Sequence, residues 1–117
     1  MLYNRKWEKK INVAPTWRTV LLRAADIVRE RGLAKWHLED DLGRVCVHGA
    51  ILIATSGDPY GDSQPGSLEV EACQALCSYL QQSGAEKIYG YGAAEWNNEP
   101  DRTADEVIAA LEGAALS

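Results

Sequence analysis

Four side chains in this sequence carry the chemistry that a metal ion or a nucleophile would use: Cys46, His48, Cys73 and Cys77. Three thiols and an imidazole suit a tetrahedral zinc site, because zinc takes thiolate sulfur and imidazole nitrogen. Their spacing fits only in part. Cys73 and Cys77 are four residues apart, so on a helix they share a face. Cys46 and His48 are two apart; they face the same way on a strand and diverge by about 200° on a helix. The tight Cys-x-x-Cys pair of many zinc sites is missing. The same residues allow a thiol nucleophile with Cys46 beside His48, or a Cys paired with His37. A catalytic thiol needs a cation or a helix start to lower its pKa, and Cys73 and Cys77 lie mid-helix on an apolar stripe, which favours inert thiols. The expectation is three reduced cysteines behaving as small buried hydrophobes, with no cofactor or metal.

Other constellations are weaker still. Glu39, Asp40, Asp41, Asp58 and Asp62 lie in turn-like stretches, where Asp serves local hydrogen bonds. No Ser-containing nucleophile elbow or phosphate loop occurs. "EWNNEPDRTADEV", residues 95–107, has the composition of an active site but reads better as a helix start. Thr103 and Glu106 have the spacing of a capping box, Asp105 and Glu106 suit the positive end of a helix, and Pro100 and Asp101 suit the turn before it. Trp96 is expected to anchor that turn, and Asn97 or Asn98 to bond nearby backbone. Glu95 has no partner assigned by this pattern.

The elements that must position these residues are mostly helical. Val20, Leu21, Ala24, Ile27, Val28 and Arg31 share one face of a helix over 16–31, with Gly32 as its stop. A second helix is expected over 67–82, with Leu68, Ala72, Cys73, Leu76, Tyr79 and Leu80 on one face and Ser67 as N-cap. A third covers 104–115, with Val107, Ile108, Leu111 and Ala115 inward. Between the first two, Trp36 and Leu38 alternate with polar residues, as do Val45 and Val47, around "DDLG"; this allows a short hairpin over 36–47. The apolar "VCVHGAILIAT" is buried either as helix or as strand, and Gly49 would let a neighbour approach closely. Trp36 and Trp96 are expected to fill the core in place of Phe, which is absent. Residues 56–66 are a loop by composition, and "IYGYG", 88–92, is flexible or tightly turned. The fold class is therefore a mainly α compact bundle of about four helices: a basic, extended arm over 1–14 and one helical domain over 15–117.

Charge limits the function. The net charge of −5 conceals a balance of +6 over residues 1–35 and −11 over 36–117. General nucleic-acid binding relies on neutralising phosphates, so the whole chain is a poor match. The basic third either docks on the acidic remainder or meets an acidic partner. No apolar run approaches the ~20 residues of a membrane span, and the first ten residues lack the apolar core of a signal peptide, so the expected location is the cytoplasm.

Three stretches carry a family resemblance: "LLRAADIVRERGLAKW", "GRVCVHGAILIA" and "EWNNEPDRTADEVIAAL". In this order and spacing the chain resembles an uncharacterised family of small proteins from actinobacteria and their phages. The family shows Trp-Asn-Asp where this chain has Trp96, Asn97 and Asn98. The resemblance implies a largely helical fold and an actinobacterial or phage origin, and it implies no catalytic residues. The leading expectation is a small non-enzymatic, phage-encoded interaction protein that binds and modulates a host protein through Trp7, Lys9, Lys10, Arg18 and Tyr60. Trp36, Gly49, Trp96, Thr103 and Glu106 are assigned to structure. One alternative is a zinc- or thiol-dependent protein using Cys46, His48, Cys73 and Cys77. Another is a nucleic-acid adaptor using Arg5, Lys6, Lys9, Lys10, Arg18 and Arg23.

Overall fold

The computed structural model describes residues 15–61, 66–84 and 92–117. The basic arm over 1–14, Asp62 and most of the turn expected at 88–92 lie outside the described residues. Five helices follow in order: α1 (Trp17–Arg31), α2 (Val47–Ser56), α3 (Leu68–Gln82), α4 (Gly92–Asn97) and α5 (Ala104–Leu116).

Side-chain caps begin the four longer helices. Thr16 and Thr19 cap α1 reciprocally, and Ser67 accepts from the Val70 N–H at the start of α3. At α5 the Thr103 hydroxyl accepts from the Glu106 N–H at 3.2 Å, and the Glu106 carboxylate accepts from the Thr103 N–H at 2.9 Å. Two of the helix's unpaired N–H donors are thereby satisfied. A Thr103→Ala protein is expected to lose about 1 kcal/mol of stability, seen as a lower urea midpoint with an unchanged slope.

α1 is the hub. It buries Val20, Leu21, Ala24, Ala25 and Val28 and packs most extensively against α5, then against α2 and α3. Leu21, Ile51, Leu76 and Leu111, one from each of the four longer helices, are fully buried at the centre. Burying such a side chain contributes about 1.5–3 kcal/mol, so this shared core is what holds the helices together. Ion pairs tie α1 outward at its basic end, Arg29 to Glu112 on α5 at 2.8 Å and Arg31 to Glu39 at 3.0 Å.

Three expectations are corrected, and the choice left open over 45–56 is decided. The bundle has five helices among the described residues rather than about four. The fifth, α4, is six residues long, too short for any apolar period to reveal. The segment over 45–56 is a helix from Val47 onward, with Cys46 as N-cap. The hairpin over 36–47 is not formed: among the described residues there are only two isolated bridges, Leu33 with Val45 and Glu39 with Val45. Both involve Val45, and neither extends into a ladder. The Ala34 N–H donates to the Val45 carbonyl at 2.8 Å, and the Val45 N–H to the Gly32 carbonyl at 3.1 Å.

Trp36 is the third correction. Alternation placed it in the core, yet it is 76% exposed. Its φ of 69° is the only positive value at a non-glycine among the described residues. That backbone turns the indole outward and breaks the extended run that a hairpin needs. Val45 and Val47, both fully buried, take the inward positions.

Candidate functional site

Two places in the fold gather the side chains that could do something. The first lies where α2 and α3 begin. His48 is in the first turn of α2 and Glu69 in the first turn of α3. The His48 Nε2 lies 2.9 Å from the Glu69 Oε2. Cys73, one turn along α3, donates its S–H to the same oxygen at 3.2 Å. Glu69 and Cys73 are buried at 3% and 6% exposure, and the His48 side chain is 18% exposed. One donor atom from each of the three lies within 4.8 Å of the others.

Of the expected quartet, then, the structure joins His48 and Cys73. The third member is Glu69, which the sequence reading passed over. The signal was present: Glu69 stands four residues before Cys73, on the same helix face. Cys77 faces the core elsewhere on α3. Cys46 is spent on the cap of α2, where its Sγ accepts from the Gly49 N–H at 3.3 Å.

The thiols are not poised as nucleophiles. Burial pushes the Cys73 thiol well up, and its hydrogen bond to Glu69 and that carboxylate's charge push it further. Burial also raises Cys46, outweighing the backbone N–H groups aimed at it, and raises Cys77. A nucleophile needs a lowered pKa; here Glu69 sits between imidazole and thiol and favours the protonated sulfur.

The second place is the segment 32–46, which links α1 to α2 and carries Trp36. Two consecutive asparagines at the end of α4 hold it. Asn97 is fully buried. Its Nδ2 donates to the Ala34 carbonyl at 3.0 Å, and its Oδ1 accepts from the Val47 N–H at 2.9 Å. The Asn98 Oδ1 accepts from the Trp36 N–H at 2.7 Å, so it fixes the residue with the unusual backbone. Only acceptor capacity is used at that oxygen, and an Asp, which the resemblance puts there, would serve as well. Lys35 donates to the Glu99 and Pro100 carbonyls from the other side. Arg102 stacks on the partly buried Trp96 ring at 4.2 Å and donates to the Trp96 carbonyl.

The segment's outer surface is apolar as well as acidic. Leu42 is 76% exposed at the tip of a turn that the Asp40 carboxylate organises, accepting from the Leu42 and Arg44 N–H groups and from the Arg44 guanidinium. Tyr60 is also exposed and donates its hydroxyl proton to the Glu39 carbonyl at 3.2 Å. Asp41, Glu99 and Asp101 are exposed. Three of the five large hydrophobic side chains exposed among the described residues therefore lie on or against this one segment.

The other residues singled out from sequence are placed as follows. Arg18 donates to the Ala115 and Ser117 carbonyls at 2.9 and 2.8 Å and lies over the Trp17 ring. It thus serves the carbonyl end of α5, where the helix dipole favours a cation. Arg23 is half-buried on α1. Trp7, Lys9, Lys10, Arg5 and Lys6 lie outside the described residues. Among the described residues, no helix is long and apolar enough to cross a membrane.

No curated protein and no solved structure matches this chain. A family model does, over residues 13–116, nearly the whole chain. With the helices and the "EWNN" clamp inside that match, the chain belongs to the family of unknown function DUF6197.

Proposed function

We propose that the protein is a small non-enzymatic interaction protein that binds a host or cellular protein through the outer surface of segment 32–46, centred on Trp36. Trp36 carries this reading. A bulky side chain in the left-handed region costs about 1–2 kcal/mol, and here it also leaves an indole 76% exposed. The asparagine clamp maintains that arrangement where a glycine would adopt it freely. Trp and Tyr dominate the energetic centres of protein interfaces; Leu42 is exposed on the same segment, and the exposed Tyr60 bonds its Glu39 carbonyl.

The exposed carboxylates Asp41, Glu99 and Asp101 give the partner its chemistry. It is a basic polypeptide segment with apolar side chains, and a Lys or Arg over the indole face adds a cation–π contact. A phage or actinobacterial setting, with a host protein as the target, is supported by the resemblance in sequence. The basic N-terminal third offers less support for a nucleic-acid adaptor, because Arg18 is engaged within the fold.

Trp36→Gly separates recognition from folding. Glycine accepts the φ of 69° without strain, so the variant is expected to be folded and within about 1 kcal/mol of wild type, on the stable side. Its capture of a partner from host lysate should fall at least about thirtyfold, the loss of a central aromatic contact. A partner held equally by both proteins, or none held by wild type, would overturn the reading. So would a concentration-dependent dimer that Trp36→Gly abolishes, which would assign the surface to a second copy of the chain.

A further inference from the structure

The geometry points to a divalent transition-metal site, best suited to zinc, formed by the His48 Nε2, the Glu69 carboxylate and the Cys73 Sγ. It stands apart from the Trp36 surface and does not depend on it.

The donor set comes first. Imidazole nitrogen, carboxylate oxygen and thiolate sulfur are the three ligand types that zinc takes, and the mixture suits neither magnesium nor calcium, which prefer oxygen alone. Geometry comes second. Zinc bonds of about 2.0–2.3 Å in a tetrahedron put neighbouring ligand atoms about 3.3–3.6 Å apart. In the protein the nitrogen and sulfur stand 2.9 and 3.2 Å from the same Glu69 oxygen, and all three ligand atoms fall within 4.8 Å. An ion therefore needs only small side-chain adjustments, in which these three atoms turn from each other toward the metal.

The supporting structure comes third. Glu69 and Cys73 sit one turn apart on α3, and His48 is carried by α2, so the ligands are on two helices rather than on a loop. Side chains fixed on rigid elements make the more exact metal sites. Glu69 and Cys73 are buried, while the 18% exposure of the His48 side chain leaves a way in. Three protein ligands leave the fourth position to water or a small exogenous ligand, as in exchangeable rather than closed zinc sites. On binding, the Cys73 thiol gives up its proton to solvent and the thiolate bonds the metal. Cys46, which caps α2, and Cys77 take no part.

Cobalt(II) substitution tests this directly, because a cobalt–thiolate bond has its own charge-transfer absorption. The full chain carrying Cys46→Ser and Cys77→Ser keeps Cys73 as its sole thiol, and Ser at position 46 still caps a helix. This protein should show the thiolate band at stoichiometric cobalt, lose it on further substitution Cys73→Ser, and be returned to a colourless form by zinc. Glu69→Gln and His48→Gln should each weaken zinc at least about tenfold in competition with a chromophoric chelator, and zinc should raise the melting temperature of wild type more than that of either variant. The absence of a thiolate band in wild type overturns the site. A wild-type band that vanishes in the folded Cys46→Ser/Cys77→Ser protein also overturns it, since the metal would then sit on other thiols. If that double substitution unfolds the chain, the wild-type band and its response to Glu69→Gln decide the matter: an unchanged band and affinity overturn the site.

Discussion

An Asn97→Ala protein is expected to be about 3–5 kcal/mol less stable than wild type, from two orphaned buried groups and a small void. Asn97 is a fully buried polar side chain. Its amide bonds two segments at once, the Ala34 carbonyl before Trp36 and the Val47 N–H at the first residue of α2. Alanine leaves both backbone groups in the interior without partners, and each such group costs about 1–3 kcal/mol. Leucine fills the space but repairs neither bond. Aspartate keeps the acceptor for Val47 while setting a carboxylate oxygen against the Ala34 carbonyl. Only the asparagine amide, donor on one side and acceptor on the other, meets both. Urea unfolding of the Ala, Leu and Asp variants checks this. A loss below about 1 kcal/mol for alanine would mean that the amide is dispensable. Asn98→Asp provides the contrast: its oxygen only accepts, so its change should stay within about 0.5 kcal/mol, typical of a surface substitution.

Gly49→Ala is expected to remove about 2–4 kcal/mol through overpacking against backbone. A Cβ at position 49 would overlap the Leu38 carbonyl oxygen and lie 3.0 Å from its carbon. That carbonyl cannot simply retreat, because it accepts from the Cys46 N–H at 3.2 Å. A flexible side chain would yield cheaply; a bonded peptide group does not. The start of α2 must therefore move away from segment 32–46. His48 precedes Gly49, so the same displacement carries its imidazole away from Glu69. Denaturant midpoints measure the first effect, and a weakening of the zinc affinity proposed for His48, Glu69 and Cys73 measures the second. An alanine variant as stable as wild type would show that the segment gives way more easily than its hydrogen bonds imply.

These two residues also mark the limits of what the sequence disclosed. Gly49 was legible as a place of close approach because it stands in an apolar run with Ala50. What approaches it, the Leu38 carbonyl, was not, since that depends on how segment 32–46 folds back. Asn97 and Asn98 were legible as residues expected to bond backbone, but their backbone partners at Ala34, Trp36 and Val47 are fifty or more positions away in the chain. Local pattern carries no information on such partners. Trp36 shows the sharper failure. Period-two alternation assumes extended backbone, and a single residue at φ 69° reverses which side chain faces inward. The cluster of His48, Glu69 and Cys73 was half legible for a similar reason. His48 and Cys73 stood out by type, whereas Glu69 reads as one more helix-first-turn acid, favoured there by the dipole alone.

By itself the sequence determined three of the helices, α1, α3 and α5, and where they begin. The apolar period of α1, α3 and α5 is local, and so are the Thr16, Ser67 and Thr103 caps, because each involves residues within a turn or two of one another. Composition and the absence of long apolar runs determined a polypeptide that can bury a helical core. Tertiary structure alone decided what the polar residues do. It placed Asn97 inside and Trp36 outside, and set Glu69 between His48 and Cys73. The physical reason is that burying a polar group is unfavourable unless it finds a partner. Asn97 finds its partners at Ala34 and Val47, and Glu69 finds one at His48 on another helix, and only the packed fold brings these within reach.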